Sequence, residues 1–430
     1  ESEAETIAGQ YRTGNDGGRI LPLERGRQTE LAVAPTNNVE AQDGDLVVIE
    51  VIPARRQGMT QARIVENIGA GDAPGAISRI AIHRAGIPDR FPDAVTAEAD
   101  AAQPPVLGDR VDLRELPLVT IDGADARDFD DAVFAEPDTD RSTDGGWHIV
   151  VAIADVAAYV TPNSALDGEA YKRGNSAYFP DRVVPMLPEA LSNGLCSLRP
   201  DEDRACVAAD LWIGPDGNLR SFQFRRALMR SAARLTYEEV QAARDANQDP
   251  VAPGHLAHLY GAYKALSEAR RVRGALDLEL PERRIVLSDA GQVADIVPVI
   301  RLDSHRLIEE FMIAANVAAA RELGKRGQPV MYRVHDEPSL EKLEGLREAL
   351  SGFEINIARG GISRPGDFNG ILYQVRGEAH ERTVNELILR AQMQAAYSPD
   401  NLGHFGLGLR DYAHFTSPIR RYADLLVHRA

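Results

Sequence analysis

The sequence predicts an α+β protein in which a small N-terminal β-barrel precedes a larger domain of mixed helices and strands. Short alternating strands separated by turn residues fill the region before residue 70, and longer helical patterns alternate with strands after residue 111. The chain has 430 residues, of which 44% are hydrophobic and 26% are charged. This composition suits two or three globular domains.

The barrel is predicted over residues 18–70. Residues 1–17 are polar, and we expect them to form a lead-in segment, either an edge strand or frayed chain. Four short apolar stretches then predict strands at Arg19–Leu23, Glu30–Ala34, Asp45–Ile52 and Ala62–Glu66. The turn signal Asp43-Gly44 precedes the third of these strands.

Residues 71–110 are rich in Gly, Ala, Pro and Asp and are predicted to connect the two domains, with an amphipathic helix at 76–85. The larger domain is predicted over residues 111–430. In it, Pro215-Asp216-Gly217 indicates a hairpin between strands at Cys206–Ile213 and Ser221–Arg226. Apolar spacing predicts helices at 236–247, 255–273, 305–324 and 338–354.

The overall charge argues against a protein that binds polyanions non-specifically. The net charge is −17, whereas nucleic-acid surfaces usually carry a basic footprint. Arginines nevertheless cluster within 225–234, 270–273 and 420–421. A positively lined channel in an acidic body can focus a field on a polyanion. A solvent-exposed helix face explains the arginines at 270–273 equally well.

Two further patterns concern the compartment. No apolar run reaches the roughly 18 residues needed to cross a bilayer, and the acidic first residues do not form a signal peptide. The two cysteines, Cys196 and Cys206, have no zinc-site spacing, and we interpret both as packing residues. We therefore expect a cytoplasmic protein without disulfide bonds.

The most unusual stretch is the acidic run from Asp122 to Asp131, which holds five aspartates in ten residues with Arg127 as its only basic residue. Apolar runs at 116–121 and 132–135 flank it and predict strands on both sides. Carboxylates gathered between two strands repel one another unless a cation compensates them. Mg²⁺ prefers oxygen ligands, and several carboxylates can hold the two ions of a phosphoryl-transfer site.

Other interpretations of the acidic run are weaker. The order of its residues does not match the Ca²⁺-binding loop of an EF-hand. A phosphatase-type Asp-x-Asp would fit Asp128-Phe129-Asp130, but Ala126-Arg127 rather than an apolar strand precede it. A solvated acidic turn remains the plain alternative to a metal site.

A second stretch with a chemical pattern begins at Thr416. Ser417 is a good N-cap and Pro418 suits the first position of a helix, so a helix is predicted to begin there. A helix N-terminus attracts phosphate, and Arg420 in the first turn would add a two-pronged donor. A capped helix with surface arginines is the structural alternative.

Three separated stretches, at 120–133, 177–188 and 414–422, resemble the RNB family of exoribonucleases in the same order. The amino-acid sequence of the first stretch, 120–133, is more similar to the RNase R branch than to the RNase II branch. The resemblance covers the chain from about residue 18 to its end and implies that the barrel is a cold-shock module of the OB type. OB folds bind single-stranded nucleic acids.

The resemblance also implies roles for site residues. It assigns the metal to Asp122, Asp128, Asp130 and Asp131, and catalysis to Asp130, Asp131 and Arg420. RNA contacts are implied for Tyr178, which would stack on the 3′-terminal base, for Tyr237 and Glu309 at the ribose, and for Arg421 at phosphate. The sequence departs from the family at Leu278, where many members have a Phe that completes the aromatic clamp.

The implied function is processive hydrolysis of single-stranded RNA from the 3′ end to nucleoside 5′-monophosphates, with one or two Mg²⁺ ions, or Mn²⁺, as cofactor. The alternatives are an RNase II-type enzyme that stalls at duplexes and a non-catalytic RNA-binding protein. We expect a monomer that binds neither a membrane nor a small-molecule cofactor. Other members carry a further OB-type domain after the catalytic domain, and we expect it to be absent from this chain, whether removed or missing in nature.

Overall fold

The computed structural model describes residues 6–14, 17–23, 29–34, 41–52, 60–71, 73, 75–139, 145–278, 280–358, 360, 362 and 364–430. It contains two compact units, and each is discontinuous in sequence. The first comprises Glu1–Pro92, Ser176–Val184 and Arg283–Val299, and the second comprises the remaining segments. The prediction had placed 176–184 and 283–299 within the catalytic domain, whereas their contacts group them with the barrel.

The elements follow the chain in this order. The first part contains β1 (Thr6–Gly14), β2 (Gly17–Pro22), β3 (Leu31–Val33), β4 (Asp45–Ile52), β5 (Gln61–Ala70), α1 (Ala76–Arg84) and α2 (Asp93–Asp100). Next come β6 (Val111–Leu113), β7 (Val119–Asp122), β8 (Asp131–Pro137), β9 (Trp147–Ala154), α3 (Ala165–Arg173), β10 (Ala177–Tyr178) and β11 (Val183–Val184).

The chain continues with a long hairpin and the main helices. These are β12 (Asp203–Ile213), β13 (Leu219–Arg230), β14 (Ala233–Thr236), α4 (Tyr237–Asp245), α5 (His255–Arg273), β15 (Arg283–Leu287), β16 (Val293–Pro298) and α6 (Asp303–Lys325). The last part contains β17 (Tyr332–Val334), α7 (Leu340–Ser351), α8 (Pro365–Gln374), α9 (Glu381–Ala391), β18 (Ala396–Ser398) and α10 (Tyr422–Arg429).

The first unit contains a closed five-stranded barrel with strand order β1-β2-β3-β5-β4. Its interior is apolar and includes Ile7, Ile20, Val47, Ile49 and Ile64. These side chains alternate along their strands, as expected for a sheet with one buried face. The predicted small barrel is therefore present.

Strand β1 lies within residues 1–17, for which the expectation was an edge strand or frayed chain. It closes the barrel by pairing with both β2 and β4, for example Tyr11 with Ile20 and Ile7 with Ile49. Its apolar alternation is weak because Gly9 takes an inner position, where an added methyl group would collide with Ile20. The lead-in therefore includes a barrel strand.

The predicted connector, residues 71–110, contains two helices that belong to different units. Helix α1 confirms the helix predicted at 76–85 and lies in the first unit. Helix α2 lies in the second unit.

The second unit is built on a seven-stranded sheet with strand order β14-β7-β8-β9-β12-β13-β6. Its pairs are antiparallel except at the two edges, where β14 runs parallel to β7 and β6 parallel to β13. Helices α5 and α6 share one hydrophobic core with the sheet, in which Leu259, Phe311 and Ile149 are fully buried. The apolar face of α6 is therefore part of the core.

The β12–β13 hairpin confirms the turn predicted at 215–217. Gly217 adopts a φ of +74°, and a side chain there would run into the Ala265 carbonyl. This is the reason that glycine is needed at this turn. The fold contains no helix, within the described residues, that is both long and apolar enough to cross a membrane.

Candidate active site

The acidic loop lies between two adjacent strands of the large sheet. Asp122 is the last residue of β7 and Asp131 is the first residue of β8. The loop is fixed from the other side by Ser197, whose hydroxyl accepts the N–H of Phe129 at 3.0 Å and donates to the carbonyl of Arg127 at 2.8 Å. Phe129 is buried. The carboxylates are thus held on an anchored loop rather than spread through solvent.

Asp130 joins this loop to a segment far away in sequence. Its side chain is 5% exposed, and the backbone N–H of Ile419 donates to its Oδ1 at 2.9 Å. The Nε of Arg420 lies 3.5 Å from its Oδ2. The structure therefore brings the predicted catalytic aspartate and the predicted catalytic arginine together.

Burial and mutual repulsion disfavour the ionised forms of the clustered carboxyls. Burial, followed by the charge of Asp128, raises the pKa of Asp122 to about 6. Burial raises the pKa of Asp130 to about 8, although Arg420 opposes the rise. Burial, followed by Asp122 and Asp130, raises the pKa of Asp131 well above its ordinary value. A bound cation would relieve this repulsion.

The donor set fits a hard divalent cation. Oxygen-only ligands suit Mg²⁺ and Mn²⁺. The Oδ2 atom of Asp122 is buried and makes no hydrogen bond within the described residues. Among the described residues, no group of three or more His, Cys, Asp or Glu side chains has the arrangement of a metal site. The carboxylates are gathered, and the predicted assignment of four metal ligands remains a prediction.

The helix predicted to begin at Ser417 is not present. Residues 418–420 form a turn, and helix α10 begins at Tyr422. The cause is the fully buried Asp424, whose Oδ1 accepts the backbone N–H of Ser417 at 2.8 Å. This bond ties Ser417 to the first turn of α10 from outside the helix. The expected helix N-terminus for phosphate therefore does not lie at Pro418.

The two neighbouring arginines have different surroundings. The side chain of Arg420 is 43% exposed and donates from Nη2 to the Ser417 hydroxyl at 3.0 Å. Arg421 is half-buried and binds Asp424 through Nε at 2.9 Å and Nη2 at 2.8 Å. Arg420 can therefore reach a substrate, whereas the fork of Arg421 is occupied by a protein carboxylate. Phosphate binding by Arg421 stays a prediction.

Tyr237 lies close to the acidic cluster. It begins helix α4 and stacks on His305 with ring centres 4.0 Å apart. Burial, followed by the charges of Asp122 and Asp131, raises the pKa of its hydroxyl. This electrostatic influence indicates that Tyr237 lies near Asp122 and Asp131, and its contact with the ribose stays a prediction.

Glu309 lines a cavity of about 630 Å³ in the second unit, together with several arginines. Arg270 Nη1 lies 3.4 Å from its Oε1, and Arg301 also forms an ion pair with it. The adjacent Glu310 is buried and accepts from Arg270 at 2.9 Å. The sequence did not indicate that Glu310 is the buried member of the pair. The predicted ribose contact of Glu309 is untested.

Arg234 is a site residue that sequence reasoning noted only as one of a basic cluster. Its Nη2 donates to the carbonyls of Gly123 at 3.2 Å and Ala124 at 2.6 Å, at the start of the acidic loop. Its charge also opposes the rise in the pKa of Asp122. Arg234 lies within β14, the strand that pairs with β7, and the only signal in the sequence was its place in the basic cluster 225–234.

Tyr178 lies in the first unit, where β10 pairs it with Val183, and it is 52% exposed. This exposure is compatible with stacking on a base. Leu278 lies in the second unit and is half-buried against the hydrophobic cluster of helices α7 to α9. The departure from the family at this position therefore has a packing role of its own.

We expect Tyr178→Ala to lengthen the shortest RNA left at the end of degradation. Stacking on an aromatic ring contributes about 1–3 kcal/mol per base, and short products have few other contacts to replace it. The measurement is the size of the limit product on a denaturing gel. Tyr171→Ala, which changes an exposed tyrosine of helix α3, is the control and should leave the parental product. An unchanged limit product and rate for Tyr178→Ala would show that Tyr178 does not stack.

His335 and His404 have packing and capping roles, and their ring centres lie 5.1 Å apart. His404 caps the short helical turn Phe405–Leu407 by accepting the N–H of Leu407 at 3.3 Å. His335 is buried and accepts the N–H of Gly406 at 2.9 Å. Both cysteines are buried and unpaired, in agreement with their interpretation as packing residues.

Comparison with known proteins tests the resemblance. The RNB domain family matches residues 110–430 and the cold shock domain family matches residues 20–92. Ribonuclease R of Vibrio parahaemolyticus is 44% identical over 424 residues, which cover 96% of this chain and 50% of that protein. The chain thus spans about half the length of the curated relatives it matches.

Solved structures show the same fold. Mycoplasma genitalium RNase R in complex with ribose-methylated single-stranded RNA has a TM-score of 0.92 at 27% identity, covering 99% of this chain and 68% of that one. The same protein with double-stranded RNA gives 0.91. Yeast Ssd1, described as a pseudonuclease, has a TM-score of 0.75 at 17% identity, covering 100% of this chain and 55% of that one, so it shares the fold alone.

These matches confirm the predicted architecture, a cold-shock-like barrel followed by a mixed α/β domain. The family match covers most of the residues, and the curated relative is more than 40% identical along nearly all of the chain. The protein belongs to the RNB family.

Proposed function

We propose that the chain is a 3′–5′ exoribonuclease of the RNase R type, which hydrolyses single-stranded RNA processively to nucleoside 5′-monophosphates. The observation that carries the proposal is the pairing of buried Asp130 with the segment of Arg420. It places a cluster of carboxylates, disfavoured as anions, beside an arginine that remains accessible. This is the arrangement needed to bind a cation and a phosphodiester at one point.

In this proposal Asp122, Asp128, Asp130 and Asp131 hold one or two divalent cations, Mg²⁺ or Mn²⁺. When bound, such a cation lowers the pKa of a water molecule and neutralises phosphate charge. Burial of Asp130 keeps bulk water away from its carboxylate, and the Ile419 N–H fixes its direction. The protein thereby orients its ligands before the substrate arrives.

Arg420 contributes positive charge at the phosphate under attack. Its Nη2 is fixed by Ser417, and its exposed side chain leaves donors for a phosphate oxygen. A guanidinium held in place stabilises the charge that develops on these oxygens in the transition state. Asp130 also holds Arg420 next to the carboxylates.

Selection of RNA and of the 3′ end is assigned to the other predicted contacts. Tyr178 would stack on the terminal base, and Tyr237 and Glu309 would contact the ribose. The 2′-hydroxyl is the group that distinguishes RNA from DNA at such a site. Residues of the barrel would contribute to holding the single strand. We expect the protein to act as a cytoplasmic monomer without a small-molecule cofactor.

Two alternatives follow from the same fold. An RNase II-type enzyme would stall at duplexes, and the complex of the Mycoplasma relative with double-stranded RNA favours the RNase R type. A non-catalytic RNA-binding protein is the other alternative, since Ssd1 shares the fold and is described as a pseudonuclease. The presence of all four motif aspartates in this chain argues against that alternative.

The test is degradation of a 5′-labelled single-stranded RNA with a 3′ tail. With Mg²⁺ we expect a product series that shortens from the 3′ end to a short limit product. Chelation of the cation with EDTA should stop hydrolysis, and a DNA of the same sequence should remain intact. Excess unlabelled RNA added after the start should not arrest bound strands if the enzyme is processive. An RNA that stays intact with Mg²⁺ and with Mn²⁺ would leave only the binding protein.

A further inference from the structure

Arg333 and Tyr397, from the short sheet formed by β17 and β18, form one cluster with His414. Arg333 pairs across the sheet with Tyr397, and its guanidinium lies 4.8 Å from the centre of the Tyr397 ring. The Tyr397 hydroxyl is hydrogen-bonded to His414 Nδ1 at 2.8 Å. The Tyr397 ring is therefore held on two sides, while 41% of the residue remains exposed.

This cluster packs against the chain segment that leads to Arg420, because the backbone N–H of Arg333 donates to the carbonyl of Tyr412 at 2.9 Å. Burial raises the pKa of the Tyr397 hydroxyl, and Arg421, Arg333 and Arg420 each oppose the rise because their charges lie nearby. His414 belongs to the same segment as Arg420 and is flanked by the same arginines. The aromatic cluster is thus attached to the segment that carries the predicted catalytic arginine.

The cluster carries uncompensated positive charge. No carboxylate among the described residues forms an ion pair with Arg333, whereas Arg421 is neutralised by Asp424. Burial, followed by Arg421 and Arg333, lowers the pKa of His414 to about 3. His414 is therefore neutral at physiological pH, and Arg333, unlike Arg421, is a cation without a carboxylate partner among the described residues.

We infer that Arg333 binds a phosphate of the RNA strand. A guanidinium that rests on an aromatic ring is held flat and keeps its fork of donors, which matches phosphate oxygens in two places. The Tyr397–His414 hydrogen bond fixes the ring on which Arg333 rests. This inference rests on the proposed function, since it assumes that RNA is the strand at the site.

The test is the salt dependence of RNA affinity in EDTA, where the strand is not hydrolysed. Each phosphate contact on a single strand changes the slope of log K against log salt by about 0.7. Arg333→Gln should lower the slope by that amount and weaken binding several-fold. The control is Arg382→Gln, which removes an exposed arginine that is paired with Glu386 on helix α9. It should leave the slope unchanged.

A second variant keeps the charge. Arg333→Lys should retain the parental slope but bind less tightly, because lysine lacks the planar fork. Circular dichroism and thermal melting check that the variants are folded. An unchanged slope for Arg333→Gln, or parental affinity for Arg333→Lys, would overturn the inference.

The two proposals fail in different ways. If the parental protein binds RNA but never shortens it, the proposed hydrolysis is wrong and the slope comparison still tests Arg333. If the parental protein shortens RNA and the slopes of the parent and Arg333→Gln coincide, only the role of Arg333 is wrong.

Discussion

Asp130→Asn is expected to reduce hydrolysis by more than about 10²-fold, because loss of even an outer partner of a metal ligand costs 10–100-fold. The amide keeps the volume of the side chain, and its oxygen can still accept the N–H of Ile419. RNA affinity in EDTA should therefore remain close to the parental value. The measurements are single-turnover degradation with Mg²⁺ and equilibrium binding without it.

Asp125→Asn is the matched control for this variant. Asp125 lies in the same loop, is exposed, and is not among the four assigned ligands. The Asp125→Asn variant loses one carboxylate, as Asp130→Asn does, and should degrade RNA at the parental rate. Hydrolysis by Asp130→Asn at the parental rate would show that the metal assignment is wrong.

The Asp130→Asn variant should also be more stable than the parent when no divalent cation is present. Burial raises the pKa of Asp130 from 3.8 to about 8, so the folded state holds its proton more tightly than the unfolded state does. Stability contributed by this group therefore falls as the pH rises from about 4 towards 8. Asn has no proton to lose. Thermal melting in EDTA should show the advantage of the variant at pH 7 and its disappearance below pH 4.

Arg420→Lys is the second change with a large expected effect. Lysine keeps the positive charge but loses the two-pronged donor that would hold phosphate oxygens. Removal of one well-placed donor to a transition state costs about 10²–10³-fold in turnover. We therefore expect kcat to fall far more than RNA affinity. An equal fall in both would identify Arg420 as a phosphate clamp that acts before the chemical step.

Arg421→Lys provides a comparison within the same motif. Its side chain donates twice to the fully buried Asp424, and lysine can replace only part of this contact. We expect a loss of about 1–3 kcal/mol in the free energy of unfolding, since a buried charge loses a hydrogen bond. Turnover of the folded fraction should change less than in Arg420→Lys. The comparison separates a residue that acts on substrate from one that positions the segment.

Local patterns were sufficient to predict much of the fold. The period of apolar residues predicted helices α5 and α6, and Asp216-Gly217 predicted the β12–β13 turn, because these elements are determined by neighbours in sequence. The acidic loop between two strands was also recognisable. The pattern of residues 1–17 did not decide between an edge strand and frayed chain, because the inner face of β1 includes Gly9, which breaks the apolar alternation.

The parts that were not predictable depend on contacts between distant residues. The N-cap pattern at Ser417-Pro418 was overruled by Asp424, a buried acid that looks like an ordinary helix residue in the sequence. The position of Arg234 at the acidic loop became visible only when β14 paired with β7. The sequence likewise could not indicate which of Glu309 and Glu310 is buried.

The hydrogen bond from Ile419 to Asp130 also has a consequence for synthesis of the protein. It joins residues that are 289 positions apart, so the acidic loop is translated long before its partner exists. At typical rates of about 5–20 residues per second, the interval is roughly 15–60 s. During this time the aspartates lack both Ile419 and Arg420. The contact that brings Arg420 to Asp130 can therefore form only after the arginine segment has left the ribosome.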